Sequence, residues 1–393
     1  MTKINCLIGN DETYATIWEW ALRGTNRDIG REIASHARAF LGCAPLPCPD
    51  ASQLQAQHSF LKKRFRPFYD RMVGVADSLG LPVDEPTHDL ATIWFDLQSA
   101  GCTAAYVPPE LMENHHAHVV RNMDLGVDLT GEVEHPSSSR ILALTMTPDE
   151  GYASASVVVF DLMGAMDGIN EKGLVVVCNS HGDHRLSGEF APSPAYLYEP
   201  VRHPGPGLNE LQVVRYLLDM CADVAEAREA LLSLRTYYRF TPCLYLVVDP
   251  TGRVASFEKS PAGDRIMFIE RECEPQVMTN FAPSRFETDD ELPEGDGLEQ
   301  GFIYTRYRIV KDALQKAAVL TPDRLAEIAR EASFDVLTGA KGENDLHPQR
   351  TIYTTRYDID ARAMSVSCYL GETPTGTKHS EPVSFMLSGH RRP

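Results

Sequence analysis

The chain has 393 residues, 43% of them apolar and 23% charged, which is ample for a substantial core. Its 37 basic and 55 acidic residues give a net charge of -18, which argues against a polyanionic partner such as nucleic acid. No apolar run approaches the roughly 18 residues of a membrane span, and the Met1-to-Cys6 start lacks a secretory core. The nine scattered cysteines form no CxxC pair, so they read as reduced thiols in a cytoplasm rather than as a zinc or redox site.

The first hundred residues carry mostly helical spacing. Tyr14 to Phe40 reads as two helices broken at Gly24-Thr25-Asn26, the second capped by Thr25 or Asn26. Gln53 to Leu79 reads as a long helix and Leu90 to Leu97 as another. After Gly101 short strand patterns dominate: Thr103 to Val107, Ala117 to Val120, Ile141 to Thr147, Ser154 to Leu162 and Leu174 to Asn179. Hairpins follow at Leu244 to Val248 and Ile352 to Tyr357. Helical stretches at Leu211 to Leu234, Tyr304 to Ala318 and Thr321 to Ala332 interrupt them. The first of these reads as a packing helix whose Asp219, Asp223, Glu226 and Glu229 form a solvated face, and the acidic stretch Glu287 to Glu299 as a solvated loop. Strands and helices grouped in blocks predict an α+β fold with mainly antiparallel sheets, and the best division falls at Gly101–Cys102. That gives a helical segment 1–101 before a strand-rich body 102–393.

Five pieces of sequence carry chemistry. Cys102 follows Gly101, a flexible residue suited to precede a scissile bond. Cleavage there would leave a thiol and an α-amine on one residue, and an α-amine with its ordinary pKa near ~7.7–8 can serve as general base. On position alone the blander reading, a small buried hydrophobe, is the better one. Arg121-Asn122-Met123-Asp124 adds a cation that favours thiolate and a carboxylate that could hold the freed amine, against the alternative of a surface ion pair. On that reading, loss of either residue lowers turnover with little effect on folding. Asn179 ends an apolar strand after the turn Asp167-Gly168-Ile169-Asn170-Glu171-Lys172-Gly173, placed as an oxyanion donor or simply as a strand terminator. Asn280 ends a second short strand, and Arg306 and Arg308 open a helix. The histidines His115, His116, His118, His181 and His184 lack an HExxH pattern and do not make a metal site; the last two read as a polar loop beside the pocket.

Taken in order, these pieces resemble the cysteine branch of the N-terminal-nucleophile (Ntn) hydrolases, which holds the choloylglycine (bile-salt) hydrolases and the acyl-coenzyme A:6-aminopenicillanic acid acyltransferases. Arg23 to Gly30 looks like the opening motif of the acyltransferase group. Gly101-Cys102-Thr103-Ala104-Ala105-Tyr106 looks like its cleavage site, and Gly168 to Asn179 like its turn and strand. Leu244 to Pro261 looks like its central hairpin, and Thr279-Asn280 and Thr351 to Tyr369 fit as well. The Arg121 to Asp124 tetrapeptide resembles the Arg-Asn-x-Asp motif of the bile-salt hydrolases; a penicillin acyltransferase of the other group keeps the aspartate without the arginine, so Arg121 is a departure toward the bile-salt branch and blurs the substrate.

The resemblance implies a four-layer αββα sandwich and self-cleavage before Cys102, with the cleaved fragments staying associated. It implies Cys102 as nucleophile with its own amine as base. Arg121 and Asp124 would stand beside it, Asn179 and Asn280 at the oxyanion and substrate, and Arg306, with Arg308 close behind, as the late arginine. It implies no cofactor and no metal. The substrate would be a small-molecule amide or acyl donor, with water or an amine as acceptor. An unprocessed, non-catalytic binding protein is the reading from another class, and oligomeric state stays open.

Overall fold

Strands such as Val175–Ser180 and Cys243–Val248 are buried on both faces, and covering both decides the layering. The computed structural model describes residues 4–48, 50–93, 100–130, 139–181, 206–239, 242–259, 266–294, 296–298, 301–340 and 345–387. In chain order the N-terminal part forms β1 (Asn5–Ile8), β2 (Thr16–Gly24), α1 (Asn26–His36), β3 (Leu46–Pro47), α2 (Ala51–Arg64), α3 (Arg66–Leu79) and β4 (His88–Asp89). Then come β5 (Ala100–Val107), β6 (His118–Gly126), β7 (Arg140–Pro148), β8 (Ser154–Val158), β9 (Asp167–Asn170) and β10 (Val175–Ser180). The second half holds α4 (Glu210–Met220), α5 (Val224–Ser233), β11 (Cys243–Val248), β12 (Arg253–Lys259), β13 (Ile266–Glu272) and β14 (Gln276–Met278). It ends with α6 (Ile303–Lys316), α7 (Pro322–Glu331), α8 (Phe334–Thr338), β15 (Gln349–Asp358), β16 (Ala363–Thr373), β17 (Gly376–His379) and β18 (Val383–Met386).

Among the described residues one sheet has nine strands in the order β1-β2-β7-β8-β9-β10-β11-β12-β13. The other has seven, β14-β5-β6-β15-β16-β17 with β18 beside β16. All pairs within them are antiparallel except β2 with β7. The alternation along each strand sorts side chains into layers. In β10, Val175 and Val177 face the inter-sheet core, while Val176 and Cys178 face the helices α1, α3, α4 and α5. In β5, Cys102, Ala104 and Tyr106 face the inter-sheet core, while Ala105 and Val107 face α6 and α7. Helix, sheet, sheet and helix layers result, the αββα sandwich expected.

Several local expectations change. The stretch from Thr16 to Gly24 is a strand, not a helix. Trp18, Trp20 and Leu22 recur at period two and pack toward the outer helices, with Ile17 on the opposite face; a W-x-W-x-L run fits either period. The second half of that segment is helical as read, with Thr25 capping α1 by accepting from the Asp28 N–H. Gln53 to Leu79 breaks at Phe65, and Leu211 to Leu234 breaks after Met220, where Asp223 caps α5. Residues 90–93 are not helical, and 94–97 lie outside the described residues. Asp219 is no part of a solvated face: it is buried and paired with Arg71 at 2.5 Å and Arg215 at 3.5 Å. Within the acidic stretch, Asp296 accepts from the Tyr304 and Thr305 N–H groups and so holds the first turn of α6.

Helices α1 and α3 touch backbone to backbone. A Cβ at Gly30 would lie 1.9 Å from the Arg71 carbonyl oxygen, and one at Gly74 would lie 1.9 Å from that of Arg27. Gly74→Ala is therefore expected to lower stability by about 1–3 kcal/mol through overpacking. Denaturant unfolding measures this, and an unchanged midpoint would contradict the close packing.

Candidate active site

Because β5 starts at Ala100, the Gly101–Cys102 bond lies inside a paired strand. Gly101 stands opposite Asp124 on β6, and Cys102 opposite Met123. The thiol points into the inter-sheet layer and is fully buried. Gly101 presents its other face to the helix side, where a Cβ would come within 3.2 Å of the Phe334 ring and 3.3 Å of the Asp124 Cβ.

Each polar atom of Cys102 has a partner. Its N–H donates to Asn280 Oδ1 at 2.9 Å. Its carbonyl accepts from Arg306 Nη1 at 2.6 Å. Its Sγ lies 3.2 Å from Arg121 Nη2 and 3.8 Å from Met123 Sδ, with a backbone hydrogen bond from Ser180 besides. Arg306 also reaches Thr103 Oγ1 at 2.7 Å, Asp124 Oδ2 at 3.2 Å and, through Nη2, Asn280 Oδ1 at 2.7 Å. The competing Arg308 points elsewhere and donates to the Leu292 carbonyl. The structure thus gathers Cys102, Arg121, Asp124, Asn280 and Arg306, with Asn179 on β10 of the facing sheet.

The two asparagines do not stand as free donors. Asn179 Nδ2 donates to the Met278 and Thr279 carbonyls at 3.0 and 3.2 Å, and its Oδ1 is buried without a partner among the described residues. Exchanging the amide atoms would set oxygen against two carbonyls, so this orientation holds. Asn280 Nδ2 donates to the Ser180 carbonyl and Oγ at 2.6 and 2.9 Å. In the intact chain, then, Asn179 braces β10 against the β14 end and Asn280 accepts from the Cys102 N–H. In this arrangement both amide NH2 groups donate to carbonyl oxygens of the chain itself.

Arg121 likewise is no surface residue. It is fully buried and pairs with Asp167 at 3.1 Å. Tyr353 bridges the two, accepting from Arg121 Nη1 and donating to Asp167 Oδ2 at 3.0 Å. Thr355 at 3.2 Å and Tyr357 complete the Asp167 shell. Asp167 comes from the nine-stranded sheet and its hydroxyl donors from the seven-stranded one, so this cluster ties the two sheets behind the thiol. Sequence reading passes over it because Asp167 opens a motif that looks like a turn. The usable signal is Tyr353, Thr355 and Tyr357 at period two on one strand face.

Burial sets the proton balance. It pushes the Cys102 thiol above its ordinary value against the pull of Arg121. It also raises the Asp124 carboxyl against Arg306 and Thr351, and lowers Arg306 against Asp124. Of the histidines read as decoys, His116 pairs with Asp358 at 2.9 Å, and His118 is pushed down to about 4 by burial. His184 lies outside the described residues. Among the described residues no group of three or more His, Cys, Asp or Glu side chains could hold a metal ion, and no helix is long and apolar enough to cross a membrane.

Residues 112–367 match the family model of the acyl-coenzyme A:6-aminopenicillanic acid acyl-transferases. The chain belongs to this family. The matched stretch contains Arg121, Asp124, Asn179, Asn280 and Arg306, and begins after Cys102. Solved structures similar to this acyl-transferase family member include penicillin V acylase from Agrobacterium tumefaciens, at 16% identity over 70% of this chain and 84% of that one, with a TM-score of 0.43. They also include a mutant of conjugated bile acid hydrolase from Clostridium perfringens, at 14% identity over 73% and 97%, with a TM-score of 0.45. A third is the Caenorhabditis elegans ortholog of N-acylethanolamine-hydrolyzing acid amidase, at 12% identity over 66% and 93%, with a TM-score of 0.40. No curated protein matches the chain in sequence.

The buried Arg121–Asp167 pair also corrects the expectation that loss of Arg121 has little effect on folding. Asp167→Ala strands a buried guanidinium and is expected to cost about 3–5 kcal/mol in denaturant unfolding. Arg121→Met combined with Asp167→Leu should recover most of that loss. A cost below about 1 kcal/mol for the single variant would show that the pair does not tie the sheets.

Proposed function

We propose that the chain is a self-processing cysteine Ntn amidohydrolase that cleaves a linear amide C–N bond in a small-molecule substrate through a thioester on Cys102. The observation that carries this reading is Cys102 itself. Its N–H, carbonyl and thiol are held by three different residues, Asn280, Arg306 and Arg121, beyond the needs of a packing cysteine.

Activation begins with attack of the Cys102 thiol on the Gly101 carbonyl carbon. The Gly101–Cys102 C–N bond breaks, the nitrogen gains the thiol proton, and a thioester joins Gly101 to Cys102. Water hydrolyses it, leaving the Gly101 carboxylate and a Cys102 that carries a free thiol and α-amine. In turnover that amine accepts the thiol proton, which a thiol kept protonated by burial requires. The thiolate attacks the substrate carbonyl, and the leaving amine departs with the proton from the α-ammonium. Water then releases the acyl group. Arg121 and the Ser180 N–H face the sulfur throughout, Asp124 and Arg306 hold the amine end, and Asn179 and Asn280 serve the oxyanion once their present partners are released. The family description names acyl transfer, which favours a second reading in which an amine replaces water at the last step; the nucleophile is the same.

Cleavage would leave segment 1–101 in place as one subunit. Its β2 pairs along its whole length with β7, and its Arg71 is buried against Asp219. Electrophoresis and N-terminal sequencing test the reading: the wild-type chain should yield fragments 1–101 and 102–393, and Cys102→Ala should stay whole. A wild-type chain that stays whole and forms no acyl adduct would leave a non-catalytic binding protein as the better reading.

A further inference from the structure

The β15–β6 ladder carries an irregularity at one place. Thr351 pairs with Asp124 and Tyr353 with Met123, so Ile352 is left over between them. Bulges of this kind re-aim a side chain. Here Tyr353 turns to the inter-sheet cluster of Arg121 and Asp167, while Thr351 turns to the helix side. Its hydroxyl donates to Asp124 Oδ1 at 2.5 Å and accepts from the Phe334 N–H at 3.2 Å. The N–H of α8 occupies the hydroxyl's acceptor side and so leaves its hydrogen directed at the carboxylate. The other carboxylate oxygen meets Arg306 at 3.2 Å. Thr351 and Thr354 both line a cavity of about 670 Å³ whose lining does not include Asp124. Asp124 is thus held by one charged and one neutral donor, and the neutral one borders that cavity.

We propose that Thr351 is a positioning residue for the nucleophile: it fixes and keeps charged the Asp124 carboxylate that receives the Cys102 amine. The catalytic consequence rests on the function proposed above; the effect on Asp124 does not. The titratable and charged groups that act on Asp124 are Arg306 from α6 and Asp335 from α8 on its own side of the sheet, and Arg121 on its own strand and Cys102 on β5 from the other side. Of these Asp335 opposes ionisation and the two arginines favour it. Removing the Thr351 hydroxyl takes away a hydrogen bond to the charged form, so the carboxyl should hold its proton to higher pH.

The experiment is a carboxyl-13C NMR titration of aspartate-labelled full-length protein, with the Asp124 signal assigned by its loss in Asp124→Asn. Thr351→Val keeps the wall to the cavity and removes the hydroxyl. Its Asp124 midpoint should lie about one pH unit or more above wild type, a tenfold change in proton affinity. Thr351→Ser should return it to within a few tenths. Thr354→Val removes a neighbouring hydroxyl that donates to Asn122 Oδ1, and should leave the Asp124 midpoint unchanged. Equal midpoints in wild type and Thr351→Val, or an equal shift in Thr354→Val, would overturn the proposal. Self-cleavage is read on the same samples. If the wild-type chain never cleaves, the proposed function falls, yet the titration still decides the role of Thr351.

Discussion

A cysteine set in a strand between two face-packed sheets has its thiol in a layer of apolar side chains, and the polar residues around Cys102 answer that constraint. Burial opposes every charge the site needs: thiolate, carboxylate and guanidinium alike. The chain meets this with pairs placed on both sides of the strand. On the inter-sheet side Arg121 faces the sulfur and is itself balanced by Asp167 and its hydroxyl donors. On the helix side Arg306 faces the Cys102 carbonyl and is balanced by Asp124. Strand alternation alone sends the side chains of Cys102 and Arg121 one way and that of Asp124 the other.

The fold supplies the rigidity that these pairs require. Cys102, Arg121 and Asp124 sit on adjacent central strands of one sheet, Asp167 and Ser180 on the facing sheet, and Arg306 in the first turn and a half of α6. Cys102 is therefore held at its N–H, carbonyl and thiol before any cleavage. The N-terminal segment is part of the same architecture, with β2 inside the nine-stranded sheet and α3 fastened by a buried ion pair. A cut at Gly101 would sever the chain without removing a layer.

Much of the site's neighbourhood is legible in the sequence, because reactive residue types at strand ends in a fixed order mark it: Gly101-Cys102, Arg121 with Asp124, Asn179, Thr279-Asn280 and Arg306. Their mutual orientation is not legible. Asn179 has the residue type of an oxyanion donor, yet its amide is committed to the β14 end by a contact across 99 residues of sequence. Asp167 hides in a run with the composition of a turn, and only the facing tyrosines on β15 reveal it. The layered α+β architecture follows from grouped strands and helices. The strand at Thr16–Gly24 does not, because two periods fit the same tryptophans and a parallel partner more than a hundred residues away decides between them.

The central claim is that Cys102 carries the acyl group as the first residue of a new chain. The direct measurement is mass spectrometry of acid-quenched protein after mixing with an amide library. A Cys102 nucleophile at a new N-terminus gives an acyl mass on a peptide that begins at Cys102, absent from Cys102→Ala. An acyl mass on any other residue, or on a peptide in which Gly101 is still joined to Cys102, would contradict it.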